Sequence, residues 1–148
     1  MAFYRGEQGN VLFKHDSGDT LTVVAAVRTW SLTIDKESLE VTKMGDSFRD
    51  RVGGLIAGSG TIEVFYEKTA AGDGKGDLIR EILTTPATES TVAGAELYTF
   101  DAGSQGSGSE KISFNILITS AEFSATVGEL QVVTLSFETK GAVAIASV

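Results

Sequence analysis

Between Val24 and Asp35 the chain alternates with a period of two. Val24, Ala26, Arg28, Trp30, Leu32 and Ile34 share one face, and Ala25, Val27, Thr29, Ser31, Thr33 and Asp35 share the other. From Lys111 to Thr119 the same period sets Ile112, Phe114, Ile116 and Ile118 against Lys111, Ser113, Asn115 and Thr119, with Leu117 the exception. Each stretch predicts a β-strand with one buried and one wetter face. Further strands are predicted at Asn10 to Lys14, Leu39 to Lys43, Gly60 to Glu67, Leu97 to Asp101, Glu122 to Val127 and Leu130 to Thr139. Ile62, Val64 and Tyr66 share a face, as do Val133, Leu135 and Phe137. A strand of ten residues spans roughly 33 Å, more than a small sandwich needs, so the longest are expected to project into a neighbouring subunit's sheet.

One segment has a helical period instead. Asp77 is a good N-cap, Leu78, Ile79, Ile82 and Leu83 form an apolar stripe, and Pro86 stops it, which predicts a short α-helix flanking the β structure. The glycine-rich runs Ala71 to Gly76 and Gly103 to Ser109 read as loops, the second as a hairpin tip. Met44 to Ser59, which mixes charged side chains with glycine, reads as irregular. Valine, isoleucine and threonine supply 38 of the 148 residues, a composition that fits a pleated sheet. With no repeat and no linker, the chain reads as one domain, long enough to bury about 70% of its unfolded surface.

Charge and composition narrow the function. A net charge of −8 and a pI near 4.6 argue against gripping nucleic acid, because that binding draws its affinity from Lys and Arg. The absence of cysteine excludes disulfides, thiolate metal sites and a cysteine nucleophile, and His15 alone makes no histidine-rich metal centre. The N-terminal residues turn polar too early for a signal peptide, and the longest apolar run, Val23 to Val27, is far short of a membrane helix; a cytoplasmic origin is expected.

Catalytic patterns are poorly matched. Gly72 to Asp77 precedes the predicted helix, yet Lys75 is followed by Gly76 where a phosphate loop needs Ser or Thr, and Asp73 and Asp77 would repel phosphate. The same aspartates lack the spacing of a calcium loop. Gly53 to Gly60 leads into a strand, so it is no dinucleotide fingerprint, and Ser59 falls one residue short of a nucleophile elbow. Paired carboxylates are accidental among 20 acids. Trp30 shares its face with Leu32 and Ile34, so it reads, with Phe65 and Tyr66, as a core or subunit-contact aromatic. No catalytic residue, metal ligand or cofactor is assigned.

The segments taken together resemble a known family. Trp30-Ser31-Leu32-Thr33-Ile34-Asp35, Leu39 to Asp46 and Val52 to Tyr66 are similar to the major tail tube proteins of long-tailed bacteriophages, as are Arg5 to Val11 and Val133 to Val143. The resemblance implies a mainly β fold, a β-sandwich or barrel-like tail tube domain over residues 1–148 with one short flanking α-helix. It implies a non-enzymatic virion protein that assembles in the host cytoplasm into stacked, hexameric rings. The stack is the conduit through which DNA is ejected, and its partners are copies of itself and the tape-measure, tail-tip and tail-terminator proteins. An acidic chain suits a passage in which DNA is a non-adhesive passenger. By the same likeness the loop Lys43 to Gly54 is the expected ring-to-ring contact, with Asp46, Arg49, Asp50 and Arg51 as ion-pairing candidates, and Phe3 to Gly9 is a second. The tube of the type VI secretion machine shares this fold. A lone acidic sandwich that binds or decorates, and a small carboxylate hydrolase, are the readings from other classes.

Overall fold

The computed structural model describes residues 3–14, 21–24, 27–66, 81–83 and 93–148. Seven strands are present: β1 Asn10–Lys14, β2 Thr22–Val23, β3 Val27–Glu40, β4 Arg51–Phe65, β5 Gly94–Phe100, β6 Glu110–Ser124 and β7 Val132–Ser147. All pair antiparallel in the order β2-β1-β5-β6-β7-β4-β3. Although β2 and β3 stand at opposite ends of that order, only residues 24–26 separate them. Four residue steps span at most about 14 Å, so the sheet must curl until its two outer strands meet. The result is the expected sandwich or barrel-like architecture.

The curl has an identifiable corner. The β5 ladder on β6 ends at Gly94 and Asn115, and the β4 ladder on β7 ends at Ser59 and Glu138. At that level the β6–β7 register jumps from Ser113–Ala144 to Asn115–Lys140, so Gly141, Ala142 and Val143 lie opposite the single Phe114. Gly141 adopts φ 73°, a left-handed conformation that glycine reaches without steric cost. The β6–β7 pair therefore bends and belongs to two layers. One layer is β2, β1, β5 and the first half of β6 with the second half of β7. The other, the inner sheet of the description below, is β3, the second half of β4, the first half of β7 and residues 116–124 of β6.

The core fills the space between the layers. Val11 and Phe13 of β1, Ala95 and Leu97 of β5, Ile116 and Ile118 of β6, Val133, Leu135 and Phe137 of β7, and Ile62 and Val64 of β4 are buried in one cluster. The phenyl rings of Phe114 and Phe137 stack at 5.6 Å on the inside of the corner. Trp30 and Leu32 of β3 pack on the cluster's edge. Beside Trp30 a cleft of about 550 Å³ marks the seam where the outer strands meet.

Several boundaries differ from the sequence expectation. The stretch Met44 to Ser59, read as irregular, enters β4 at Arg51, and Leu39–Glu40 continue β3 instead of starting a strand of their own. Glu122 to Val127 is likewise the end of β6 and a turn. The glycines that signalled a loop are required by close neighbours: a Cβ on Gly60 would strike the Ser31 carbonyl oxygen of β3 and lie 2.8 Å from the Phe137 ring, and one on Gly58 would lie 2.8 Å from Thr139. Of the segment Asp77 to Pro86, the structure describes only Glu81–Leu83, a 3-10 turn whose Ile82 packs on the core. The rest of that expected helix, His15 and the loop Ala71 to Gly76 lie outside the described residues.

The predicted hairpin tip after β5 is a closed loop built on Asp101. Its carboxylate accepts hydrogen bonds from Asn10 Nδ2 (3.1 Å), the Gly103 and Gln105 backbone N–H groups (2.9 Å each) and Gln105 Nε2 (2.9 Å).

Two expectations test this account. Phe137→Ala removes the larger part of the corner stack, and equilibrium unfolding in urea should show a loss of about 3–5 kcal/mol. The bonds donated by Asn10 and by the Gln105 and Gly103 amides lower the Asp101 pKa from 3.8 to about 2. A depressed folded-state pKa means that the stabilisation is complete above the unfolded value and disappears as pH falls through the folded one. Amide exchange at Gly103 and Gln105 should therefore accelerate, relative to β7 amides, between about pH 4 and pH 2, and Asp101→Asn should abolish that pH step.

Candidate functional site

The inner sheet has two faces of opposite chemistry. In register across β3, β4, β7 and β6, the rows Trp30–Ile62–Leu135–Ala121 and Leu32–Gly60–Phe137–Ile118 face the core. Between and beside them run Thr29–Glu63–Thr134–Glu122, Ser31–Thr61–Ser136–Ser120 and Thr33–Ser59–Glu138–Leu117 on the opposite face. Those three rows hold eight hydroxyls, three glutamates and Leu117, and no Lys or Arg. Within the rows Ser31 and Thr61 lie 3.0 Å apart, and Thr119 Oγ1, in the β6 bulge beside them, donates to the Ser136 carbonyl. Arg28, at the bulge where β3 slips against β4, is held by Glu63 at 2.8 Å and lies over the Phe65 ring at 6.0 Å. The three rows are polar and negative, and Arg28 beside them is paired.

Among the described residues both margins of this sheet lack a partner strand. No described strand pairs with the outer edge of β3 along its 14 residues, and on the side of β6 away from β7 none pairs with residues 116–124 beyond the single bond from Ile116 N to Ala93 O. Long unpaired margins carry rows of N–H and C=O groups that bind another strand, and isolated proteins normally blunt them.

Beyond Ser59 the β3–β4 pair leaves the body as a two-stranded arm. Gly58 still donates its backbone N–H to Thr139 Oγ1 at 3.0 Å, but among the described residues 51–57 of β4 pair with β3 alone, so the arm extends about 23 Å past that contact. Leu55 is 82% exposed on it, and Ile56, Leu39, Val52 and Ile34 are exposed too. A two-stranded ribbon is marginal alone, and one with an apolar surface is a contact surface. At its tip the acids are consumed by the turn: Asp46 Oδ2 accepts from Lys43 N at 2.7 Å, and Asp50 Oδ1 from Arg51 N at 2.9 Å. Gly45, with φ 96°, makes the reversal. Met44 is fully exposed and Phe48 is 88% exposed.

Asp46, Arg49 and Asp50 thus sit together at the tip, and Arg51 stands on the ladder opposite Glu40. Among the described residues Arg49 and Arg51 have no ion pair. Of the aromatic candidates, Trp30 packs on the core and Phe65 is half-buried under Arg28. Tyr66 lies on the surface at the far end of β4, edge-to-face with Phe123 at 6.0 Å. The segment Phe3 to Gly9 leads into β1, its Tyr4 ring stacked on Phe100. Sequence reasoning missed Phe48, Met44, Leu55 and Phe123, and it missed the hydroxyl rows. The rows had a signal, since Ser and Thr recur at the same phase in β3, β4 and β7, but their alignment across strands depends on register. Among the described residues no three acidic or histidine side chains converge as metal ligands, and no helix is long and apolar enough to cross a membrane.

Neither a family model nor a curated protein matches the sequence. The backbone does match solved structures. The tail of an empty gene transfer agent particle, refined with C6 symmetry, superposes with a TM-score of 0.74 at 15% identity over 97% of this chain and 98% of that one. The SPP1 tail tube gives 0.74 at 14% identity, covering 98% and 80%. The sheath–tube complex of an extracellular contractile injection system gives 0.66 at 14% identity, covering 95% and 89%. At these identities the likeness is one of fold, and it spans nearly the whole chain: this protein has the tail tube fold.

Proposed function

We propose that the chain is the subunit of a phage tail tube, a structural virion protein whose rings stack into the conduit for DNA. The observation that carries this reading is the pair of open margins on one four-stranded sheet. Strands alternate in direction across β3, β4, β7 and β6, so β3 and β6 run antiparallel. A rotation about a ring axis preserves strand direction, and the β3 margin of one copy can therefore continue the β6 margin of the next as an ordinary antiparallel ladder. Because the two margins differ, the contact is heterologous and closes into a ring when the rotation divides the circle. Six copies is the number proposed, after the C6 symmetry of the gene transfer agent tail.

The polar face then lines the lumen. Glu63, Glu122 and Glu138 repeat around the ring among hydroxyls, and no unpaired cation in the three rows is available to hold phosphate. DNA passes as a non-adhesive load. The subunit does mechanical work without catalysis, in the tail of a virion, with tape-measure, tail-tip and tail-terminator proteins as its companions. The arm, with its tip residues Asp46, Arg49, Asp50 and Arg51, is the contact between rings. A tube of a contractile injection system is the second reading, favoured by the contractile injection system among the structural neighbours. A sheath that co-purifies with the tube would select it.

Electron microscopy and size exclusion of the purified chain should show rings or tubes of many 15.6 kDa subunits. A monomer at every concentration would overturn the reading. Leu55→Asp should abolish assembly while changing monomer stability by no more than about 0.5 kcal/mol, since the side chain is exposed. Glu122→Lys combined with Glu138→Lys should still assemble, but tubes formed with duplex DNA should retain it in a nuclease-resistant, salt-sensitive form that unaltered tubes do not.

A further inference from the structure

Tyr66, Phe123, Ala125, Val132 and Val133, with the polar Ser124 and Gln131, bound a largely apolar groove of about 220 Å³ at the end of the inner sheet opposite the arm. Phe123 is 58% exposed in it and Tyr66 meets it edge-on. We infer that this groove is the socket for the arm tip, Met44 and Phe48, of another copy of the chain; the inference rests on the tube reading and names the receiving surface that it requires.

Three observations select this occupant. The tip and the groove mark the two ends of the same strand, because β4 runs from Arg51 beside the tip to Phe65 beside Tyr66. That separation is about 46 Å, so a chain cannot fill its own groove. The chemistry is complementary as well. Residues 41–51 carry Lys43, Arg49 and Arg51, while the acids Asp46 and Asp50 are engaged by backbone N–H groups. Residues 120–133, which supply one wall of the groove and its turn, carry Glu122 and Glu129 and no Lys or Arg. Two exposed apolar side chains on a turn that carries three cations thus meet a largely apolar groove on a segment that carries two acids, the chemistry of an apolar anchor with a charged surround. Finally, the two surfaces differ and lie at opposite ends, so their union is head-to-tail along the strands and leaves one free tip and one free groove at the ends of any stack. The lateral β3–β6 contact is used separately, so closing a ring and stacking rings draw on different residues.

The absence of cysteine permits a direct test in the full-length chain. Phe48→Cys and Phe123→Cys are both at exposed positions. The double variant, treated with a short bismaleimide, should yield a covalent ladder of two, three and more subunits, whereas each single variant should yield nothing above a dimer. In mixtures, Phe48→Asp keeps its groove and Phe123→Asp keeps its tip, so the two together should form ring pairs and no longer stacks. Loss of the ladder while the unaltered protein still forms tubes overturns the socket and leaves the tube reading in place. Loss of the ladder with no rings or tubes overturns both. A ladder without closed rings upholds the socket and overturns ring closure.

Discussion

The stacked rings of Phe114 and Phe137 sit where the β6–β7 pair turns from one layer into the other, and the remaining architecture follows from that turn. An antiparallel pair has enough apolar surface to serve two layers only if it bends. Gly141 provides the left-handed backbone, the three residues opposite Phe114 provide the slack, and the aromatic pair fills the inside of the corner. Straightened, the pair would leave the core cluster without its second wall.

The corner also explains why the assembly margins are open. β5 follows β6 only to Asn115 and β4 follows β7 only to Glu138, because each belongs to a different layer. Residues 116–124 of β6 are released on one side by the departure of β5. On the other side β3 is the last of the described strands in the sheet order, since residues 24–26 carry the chain from the opposite end of that order. One bend therefore satisfies the core and leaves a four-stranded sheet whose margins match each other in direction. The same division sets the face: core-facing rows take up the apolar side chains, and the hydroxyls and glutamates are left on the side that the tube reading assigns to the lumen.

Much of this was legible as pattern. The apolar phases of β3, β4, β6 and β7 follow from period-two alternation, and β1 from the short apolar run Val11 to Phe13 between Asn10 and Lys14; both signals are local. Strand ends were misread where the pattern is broken by bulges. β6 has its extra residue at the Ile118/Ser120 bulge, so its apolar phase changes there and one strand of 15 residues looks like two. Gly53, Gly54, Gly58 and Gly60 looked like loop glycines because the side chains that crowd them, Lys36, Glu37, Thr139 and Phe137, come from other strands.

The sequence by itself determined that the chain is a β protein without thiol chemistry, that its charge opposes holding nucleic acid, and which residues share a face within each strand. These are properties of single residues and their near neighbours. Only the tertiary structure decided which faces align into one polar surface, which edges stay unpaired, and that Phe48 and Phe123 stand at opposite ends of the same sheet. Those depend on register, on the corner at Gly141 and on the short link between β2 and β3, all of which join residues far apart in the chain.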